Sequence, residues 1–302
     1  MTQVDDWQLT ADVVRSFSNT PDQRLKHILT ELVQSSHDFV RRTNLTFEEW
    51  NYAIDYLART GHACTPARQE FVLLADVLGI SMLVDAINHR ERDGATPTTV
   101  LGPFYVGEHK LLPHGSNISS GVSGAPMFVR IRVADVSGKP IGHAIVDVWH
   151  ADDDGLYDSQ KASYPEEGPS LRARFAVDAQ GCLSFRTILP CSYPIPTDGP
   201  VGELLDASAR HPMRPAHVHF LVAAEGFEPL VTHVFIAGDK NLESDAVFGV
   251  KSELISHLEE HDESPMPDGS PANGPWYVLT YEFRMQPGNG TAPTPLPGTR
   301  RA

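Results

Sequence analysis

Two histidines separated by one residue stand in the segment 214–220, which reads Arg-Pro-Ala-His-Val-His-Phe. The apolar residues around them predict a β-strand, in which residues two apart point to the same face. His217 and His219 would then present two imidazoles side by side, which is half of a metal site. Arg214 stands just upstream, where it could reach anything bound there. A pair of ordinary strand histidines, or a zinc site of another kind, is the competing interpretation.

Two tyrosines follow predicted strands at points where the chain should be rigid. Tyr157 comes after Asp-Asp-Asp-Gly-Leu, and Tyr193 stands in the proline-rich segment 190–200. Prolines stiffen such loops, and rigid loops on a β-sandwich often carry functional residues. A tyrosine in such a position, taken alone, is more often a structural aromatic than a ligand, and the same interpretation applies to Tyr105 and Tyr164.

Composition excludes several classes of protein. The formal net charge of −15 over 302 residues argues against nucleic-acid binding, because nothing would offset phosphate repulsion. Three cysteines without a C-x-x-C pair fit a reducing compartment. The first residues show no signal-peptide pattern, and the most apolar window, 71–87, contains Asp76 and Asp85. We therefore expect a cytoplasmic protein without membrane insertion.

The first 95 residues show the periodicity and caps of α-helices, and we expect a helical domain over 1–95. Thr20-Pro21 predicts one helix start, and the capping box from Thr46 to Glu49 predicts a second, with Gly61 as its stop. Thr65-Pro66 predicts the start of one long helix through Ala86. The apolar face of 71–87 exceeds what one sandwich edge would cover, which favours a dimer.

The pattern changes to period two after residue 95, with turn signals between short apolar runs. Several such strands predict an antiparallel β-sandwich over residues 96–285, so the fold class is α+β. The tail 286–302 is rich in Pro, Gly and Thr and is expected to be disordered. The predicted strands are 128–133, 145–150, 182–188, 216–223, 230–236 and 276–283.

Four stretches, in this order, resemble the intradiol ring-cleaving dioxygenases. They read Leu-Gly-Pro-Phe-Tyr at 101–105, Val-Asp-Val-Trp-His-Ala-Asp from 146 towards Tyr157, Phe-Arg-Thr-Ile-Leu-Pro from 185 towards Tyr193, and Arg-His-Pro-Met-Arg-Pro-Ala-His-Val-His at 210–219. The resemblance covers roughly residues 20–285. It implies a helical dimerisation domain before an irregular sandwich that carries the metal site. It also implies a homodimer with a phospholipid at the interface.

The resemblance implies that Tyr157, Tyr193, His217 and His219 are the protein ligands of a mononuclear non-haem Fe(III). This ligand set is chemically consistent, because a hard ferric ion suits phenolate oxygen better than thiolate. Two tyrosinates and a hydroxide would balance its three charges. Two histidines and a carboxylate would instead have indicated Fe(II) oxygen chemistry.

By the same resemblance, a small aromatic diol or triol and O2 are the substrates, and the ring opens between the two oxygenated carbons. Tyr193 is the ligand that the substrate displaces, while Tyr157 stays bound. Arg214 stabilises negative charge that develops on the substrate, although a salt bridge at the sandwich edge is the alternative role. His233 stands where many catechol-cleaving relatives carry glutamine, and it is a candidate to orient the substrate.

Segments 73–85, 99–104, 193–196 and 244–251 are most similar to the branch that cleaves hydroxyquinol, benzene-1,2,4-triol. Asp76 stands in an otherwise apolar helix, where its carboxylate needs a partner such as the third ring hydroxyl or a neighbouring group. The residues that the resemblance assigns to the substrate pocket are Leu73, Asp76, Val100, Leu101, Gly102, Pro103, Phe104, Ile195, Pro196 and Arg214.

Three alternatives stay open at this point. A catechol or chlorocatechol 1,2-dioxygenase would share the motifs and differ only in the pocket. A non-enzymatic sandwich that binds zinc or copper through His-x-His would leave the two tyrosines unexplained. A protein-interaction sandwich would hold no metal at all.

Overall fold

Two compact units make up the protein, Met1–Arg59 and Thr60–Ala302. The computed structural model describes residues 6–65, 68–90, 93–107, 110–161, 163, 168–262, 264–272 and 274–294. Helices form the described part of the first unit, and two larger β-sheets dominate the second. The α+β class is confirmed, while the predicted domain limits of 1–95 and 96–285 stay a prediction.

Three helices begin within the first unit: α1 Asp6–Ser16, α2 Gln23–Thr43 and α3 Phe47–His62. The capping box of α3 forms as predicted, because Thr46 Oγ1 accepts from the Glu49 amide at 3.2 Å and the Glu49 carboxylate accepts from the Thr46 amide at 2.8 Å. The predicted cap Thr20 is wrong. Asp22 caps α2 instead, since its carboxylate accepts hydrogen bonds from two backbone amides of the first turn.

The predicted long helix through Ala86 is also wrong, because two short helices, α4 Glu70–Val77 and α5 Ile80–Asn88, occupy this segment. Gly79 lies between them at φ 71°, a left-handed conformation that ends α4 and starts α5 at a new angle. The break lets α4 bury Leu73, Asp76 and Val77. Among the described residues, no helix is long and apolar enough to span a membrane.

The strands of the second unit are β1 Pro126–Asp135, β2 Ile145–Trp149, β3 Arg172–Ala176, β4 Cys182–Ile188, β5 Tyr193–Pro194, β6 Met213–Arg214, β7 His217–Ala223, β8 Leu230–Ile236, β9 Ile255–Ser256, β10 Glu259–His261 and β11 Trp276–Met285. Two sheets pack face to face, with strand orders β10-β11-β1-β4 and β3-β2-β7-β8-β9, and β5 pairs with β6. The predicted sandwich therefore forms, but β1 runs parallel to β11 and β8 parallel to β9. Both pairs are far from any hairpin turn that would force antiparallel pairing.

Strand β7 separates the core from the opposite face of its sheet by simple alternation. Val218, Phe220 and Val222 point into the core between the sheets. The intervening residues His217 and His219 therefore point to the other face, and both are buried there. This outer face is where the predicted chemistry must lie.

Three further segments complete the described structure. Helix α6, Pro200–Ala207, follows the proline-rich loop, with its proline in the first turn, and 3₁₀ turns span Asp158–Gln160 and Ser252–Leu254. At the start of the tail, the Gly288 and Asn289 amides donate to Gly226 and Glu228. Residues 295–302 lie outside the described residues, and the disorder of the tail stays a prediction.

Candidate metal centre and adjoining cleft

Four buried side chains from three separate segments meet on the outer face of β7. Tyr157 precedes a 3₁₀ turn, Tyr193 opens β5, and His217 and His219 lie on β7. The tyrosine oxygens are 3.0 Å apart, and His219 Nε2 lies 2.9 Å from Tyr157 Oη. The two histidine Nε2 atoms are 3.2 Å apart. We call these four atoms the four-donor cluster.

The spacing within the four-donor cluster matches that of ligands around a single ion. Ligand atoms at about 2.0–2.2 Å from a metal lie roughly 3 Å from one another. Two phenol oxygens and two imidazole nitrogens, with no thiolate, suit a hard or borderline cation. The geometry and chemistry of these donors therefore fit one metal ion, and the resemblance-based ligand set is brought together in space.

Both histidines are held in the neutral form that binds metals. His217 Nδ1 donates to the Pro215 carbonyl at 2.7 Å, which leaves a lone pair on Nε2 facing the cluster. Burial, followed by the charge of Arg214, lowers the pKa of His217 to about 3. Burial likewise holds the pKa of His219 well below its usual value. Each imidazole is therefore neutral at neutral pH and keeps one unprotonated ring nitrogen that can bind a metal.

The tyrosines behave in the opposite way. Burial and the neighbouring Tyr193 raise the pKa of Tyr157 well above its ordinary value, and burial also raises the pKa of Tyr193. Neither phenol would ionise here alone, so phenolate formation requires a strongly charged cation between the two oxygens. This requirement favours a trivalent ion over a divalent one.

Two glycines allow the cluster to close. Gly102 has φ 75°, and a Cβ there would lie 3.2 Å from His219 Cε1. Gly155 has φ 81°, and its Cβ would lie only 2.5 Å from the Tyr193 Cβ. A side chain at Gly155 would push Tyr193 away, and both positions favour glycine by conformation as well.

Aromatic stacking fixes the orientation of two of the candidate ligands. The Trp149 ring stacks on His219 with ring centroids 4.8 Å apart, and the two residues pair directly across β2 and β7. Phe104 stacks on Tyr157 at 4.4 Å. These contacts restrict ring rotation, so the donor atoms are held in place before any ligand arrives.

His233 pairs with His219 across β7 and β8, and their ring centroids are 4.1 Å apart. It is fully buried, and among the described residues neither of its ring nitrogens has a partner in good hydrogen-bond geometry. It forms a three-histidine group with His217 and His219. One ring nitrogen from each lies within 4.8 Å of the others, so the group could hold a metal. The predicted candidate His233 therefore lies directly against the four-donor cluster.

Arg214 pairs with Tyr193 in the β5–β6 sheet, and its Nη1 lies 3.2 Å from His217 Nε2. Its other guanidinium nitrogens donate to Asp245, which the sequence reasoning did not identify as a site residue. The only hint was the position of Asp245 within a segment similar to the hydroxyquinol branch. Burial opposes the charges of this pair, but their mutual attraction raises the pKa of Arg214 and lowers that of Asp245.

A cleft of about 560 Å³ opens beside Tyr193, within the usual range of ligand pockets. We call it the Tyr193 cleft. Five predicted pocket residues line it: Leu73, Pro103, Phe104, Ile195 and Pro196. The other predicted residues do not line this cleft: Asp76, Val100, Leu101, Gly102, Arg214 and His233.

Asp76 is buried on α4, one helical turn from Leu73 in the wall of the Tyr193 cleft. Burial raises the pKa of its carboxyl to about 6, although Ser81 donates a hydrogen bond and Arg214 lies close enough to oppose the shift. Part of its environment is therefore structural.

Of the two tyrosines interpreted as structural aromatics, Tyr105 donates a hydrogen bond to the Asp147 carboxylate at 2.9 Å. Tyr164 lies outside the described residues.

Comparison with known proteins places the chain in a family. The family model described as "Dioxygenase" matches residues 102–287, and the model described as "Catechol dioxygenase N terminus" matches residues 22–96. The 6-chlorohydroxyquinol 1,2-dioxygenase of Cupriavidus pinatubonensis is 45% identical over 95% of this chain and 99% of that protein. The hydroxyquinol 1,2-dioxygenase of Nocardioides simplex is 41% identical over 94% of this chain and 97% of that protein.

A solved structure shows the same fold at full length. Hydroxyquinol 1,2-dioxygenase from Pseudomonas putida DLL-E4 superposes with a TM-score of 0.86 and 43% identity, covering 94% of this chain and 99% of that chain. The resemblance drawn from the four motifs is thereby confirmed. This chain belongs to the intradiol ring-cleaving dioxygenase family.

Proposed function

We propose that this protein cleaves hydroxyquinol with O2 to 3-hydroxy-cis,cis-muconate, which tautomerises to maleylacetate, using Fe(III) held by Tyr157, Tyr193, His217 and His219. The observation that carries the proposal is the four-donor cluster, in which each atom lies 2.9–3.2 Å from its nearest neighbour in the series Tyr193, Tyr157, His219 and His217. The similarity to hydroxyquinol-cleaving relatives over nearly the whole chain supports the choice of substrate. Catechol and chlorocatechol are the alternative substrates.

The donor set favours ferric iron over zinc. Two phenols whose pKa values are raised by burial bind as phenolates only to a cation of high charge. When bound, Fe(III) supplies a Lewis acid that draws electron density from the oxygens of the diol. A zinc ion on the three-histidine group would leave both tyrosines protonated and without a role.

Tyr193 is the candidate ligand that substrate displaces, because it lines the Tyr193 cleft and Tyr157 does not. Tyr157 is fully buried beneath Phe104 and is held in place by that stacking. Burial raises the pKa of Tyr193, so its Oη can hold a proton taken from a substrate hydroxyl. The chain thus offers one fixed oxygen ligand and one that can exchange.

Arg214 supplies a fixed positive charge beside the cluster. Its side chain is almost fully buried, so the charge acts in a medium of low dielectric and is strong there. Negative charge that develops on the opening ring would be stabilised by this guanidinium. In the balanced reaction the bond between the two adjacent oxygenated carbons breaks, both atoms of O2 enter the product, each of these two carbons becomes a carboxylate, and two protons are released.

Asp76 is proposed to select the triol. The third hydroxyl of hydroxyquinol is a donor that catechol lacks, and a buried carboxylate is its natural acceptor. The relation of Asp76 to Leu73, which lines the Tyr193 cleft, supports this role. Val100 lies beside His233, and together with Leu101 and Gly102 it would form the wall on the metal side.

The test is a visible spectrum of the purified protein before and after anaerobic addition of hydroxyquinol, with metal analysis of the same sample. Phenolate-to-Fe(III) charge transfer should give a red-brown protein, and substrate should change the band as Tyr193 leaves. Oxygen uptake should then be faster with hydroxyquinol than with catechol or a chlorocatechol. A colourless zinc protein would refute the iron assignment, and faster uptake with catechol would refute the substrate.

We also propose a homodimer that pairs through the N-terminal helices. Among the described residues, α2 buries none of its side chains. Four of its apolar residues instead form an exposed stripe with spacings of three, four and seven. An exposed apolar stripe of this length marks an interaction surface. The stripe consists of Leu25, Ile28, Leu32 and Phe39.

A further inference from the structure

We propose that Asp245 is a positioning residue that fixes the guanidinium of Arg214 for ring cleavage. The inference rests on the proposed function, in which Arg214 stabilises negative charge on the substrate. Asp245 acts through Arg214 and is not itself a ligand of the four-donor cluster. No motif for ring cleavage points to it, and only the three-dimensional contacts bring it to the site.

The contact between Asp245 and Arg214 is bidentate. Arg214 Nε donates to Asp245 Oδ1 at 3.1 Å, and Nη2 donates to Oδ2 at 3.3 Å. Both side chains are nearly fully buried, at 4% and 5% exposure. The fork geometry fixes the plane of the guanidinium and leaves Nη1 directed at His217. Nη1 is therefore the atom turned towards the reacting centre.

A tight turn holds the Asp245 carboxylate in turn. Oδ1 accepts from the Val247 amide at 3.3 Å, and Oδ2 accepts from the Gly249 amide at 2.9 Å. Phe248 between them adopts φ 59°, which is costly for a bulky residue and persists only where the surroundings enforce it. This local strain brings both amides onto one carboxylate, so the anchor of Arg214 is itself rigid.

Gly249 leaves no free space around the pair. A Cβ at this position would lie 3.1 Å from Asp245 Oδ2, 3.2 Å from Arg214 Nη2 and 3.7 Å from His233 Nδ1. A methyl group there would displace the pair by a few tenths of an ångström without removing either charge. Gly249→Ala is therefore a second and independent way to disturb the position of Arg214.

A double-mutant cycle between Asp245→Asn and Arg214→Ala separates positioning from general stability. Alone, Asp245→Asn should lower kcat by about 10- to 100-fold, because small misplacements of a catalytic charge have effects of that size. KM should change much less. In the Arg214→Ala background, the same substitution should change kcat by no more than about twofold, because Arg214 is the group through which Asp245 acts. Iron content is measured on every sample, and rates are expressed per iron.

Asp147→Asn is the matched control, because Asp147 is also buried and holds Arg174 in a bidentate pair. Its effect should add to that of Arg214→Ala. Additive losses for Asp245→Asn as well would overturn the proposal. If that variant does not fold, Gly249→Ala is carried through the same cycle and judged by the same criterion.

The cycle uses whichever diol the wild-type protein turns over fastest. A failure of the hydroxyquinol assignment therefore leaves the test of Asp245 intact. A wild-type protein that is iron-loaded but inactive on every diol would overturn both proposals.

Discussion

Replacement of Asp76 by asparagine should make the protein more stable and, at the same time, a poorer hydroxyquinol dioxygenase. The substitution keeps the shape of the side chain and removes its charge. Asp76 is buried, and burial raises its pKa from 3.8 to about 6. A folded-state pKa above the unfolded value means that the ionised carboxylate opposes folding.

The size of this effect follows from the shift in pKa. At about 1.4 kcal/mol per unit, a shift from 3.8 to about 6 corresponds to roughly 3 kcal/mol, which is an upper limit for the stability gained at pH 8. The contribution of Asp76 to stability is greatest below pH 3.8 and is lost as pH rises through 6. Asparagine does not titrate, so the variant should lack this part of the pH dependence.

The loss of activity has a separate origin. A hydrogen bond from the third substrate hydroxyl to a charged acceptor contributes about 1.5–3 kcal/mol. The asparagine oxygen still accepts a neutral hydrogen bond of about 0.5–1.5 kcal/mol, so the variant loses only the difference, about 1–1.5 kcal/mol. The value of kcat/KM for hydroxyquinol should therefore fall by roughly 5- to 15-fold, whereas that for catechol should change little or rise. Thermal unfolding, iron content and both kcat/KM values are measured on the same preparation.

Asp85→Asn is the matched control, because its carboxylate bonds to His89 at 2.9 Å and to Lys251 at 3.1 Å. This variant should lose stability and keep the ratio of the two kcat/KM values. If Asp76→Asn is destabilised, or loses activity equally on both substrates, the carboxylate is structural. The substrate assignment would then rest on similarity alone.

Three further outcomes are expected. Tyr157→Phe should lose iron and colour, measured by metal analysis and visible absorption, while the control Tyr105→Phe should keep both. A coloured Tyr157→Phe with wild-type turnover would show that another side chain supplies the oxygen. Burial lowers the pKa of His150 to about 4, so its contribution to stability is complete above pH 6.5 and is lost as pH falls towards 4. The Tm of His150→Gln should therefore fall less than the Tm of the wild-type protein between pH 6.5 and 4. Parallel curves of Tm against pH for the two proteins would contradict this. Sedimentation should show a dimer, and solvent extraction of that dimer should yield phospholipid. The substitution Leu32→Glu should weaken the dimer, whereas the control Gln34→Glu should not. A wild-type protein that is monomeric at all concentrations would refute the dimer.

The histidine pair could be located from sequence because its geometry is purely local. The alternation along β7 sends Val218 and Phe220 to the core and the two histidines to the other face. Asp245 could not be found in this way. It lies on a loop, and its meaning depends on a contact with Arg214 that only the folded chain creates.

At strand β3, which the sequence pattern did not predict, tertiary contacts override the local pattern. Strand β3 contains Arg172 and Arg174, which make the segment look exposed. Both arginines are paired with carboxylates instead, Arg172 with Asp158 at 2.7 Å and Arg174 with Asp147 at 2.6 Å. The break at Gly79 was hidden by the apolar residues on either side of it.

The parallel pairing of β1 with β11 has a consequence for biosynthesis. All four candidate ligands have been synthesised once the chain reaches residue 219. The strand that pairs with β1 along its length, Trp276–Met285, is synthesised later. The nascent chain therefore exposes two tyrosines and two histidines while one layer of its sandwich still lacks a central strand. Contacts so distant in sequence form slowly and late. We expect tight capture of iron to follow release of the finished chain, and a chaperone that delays collapse would also delay the entry of the metal.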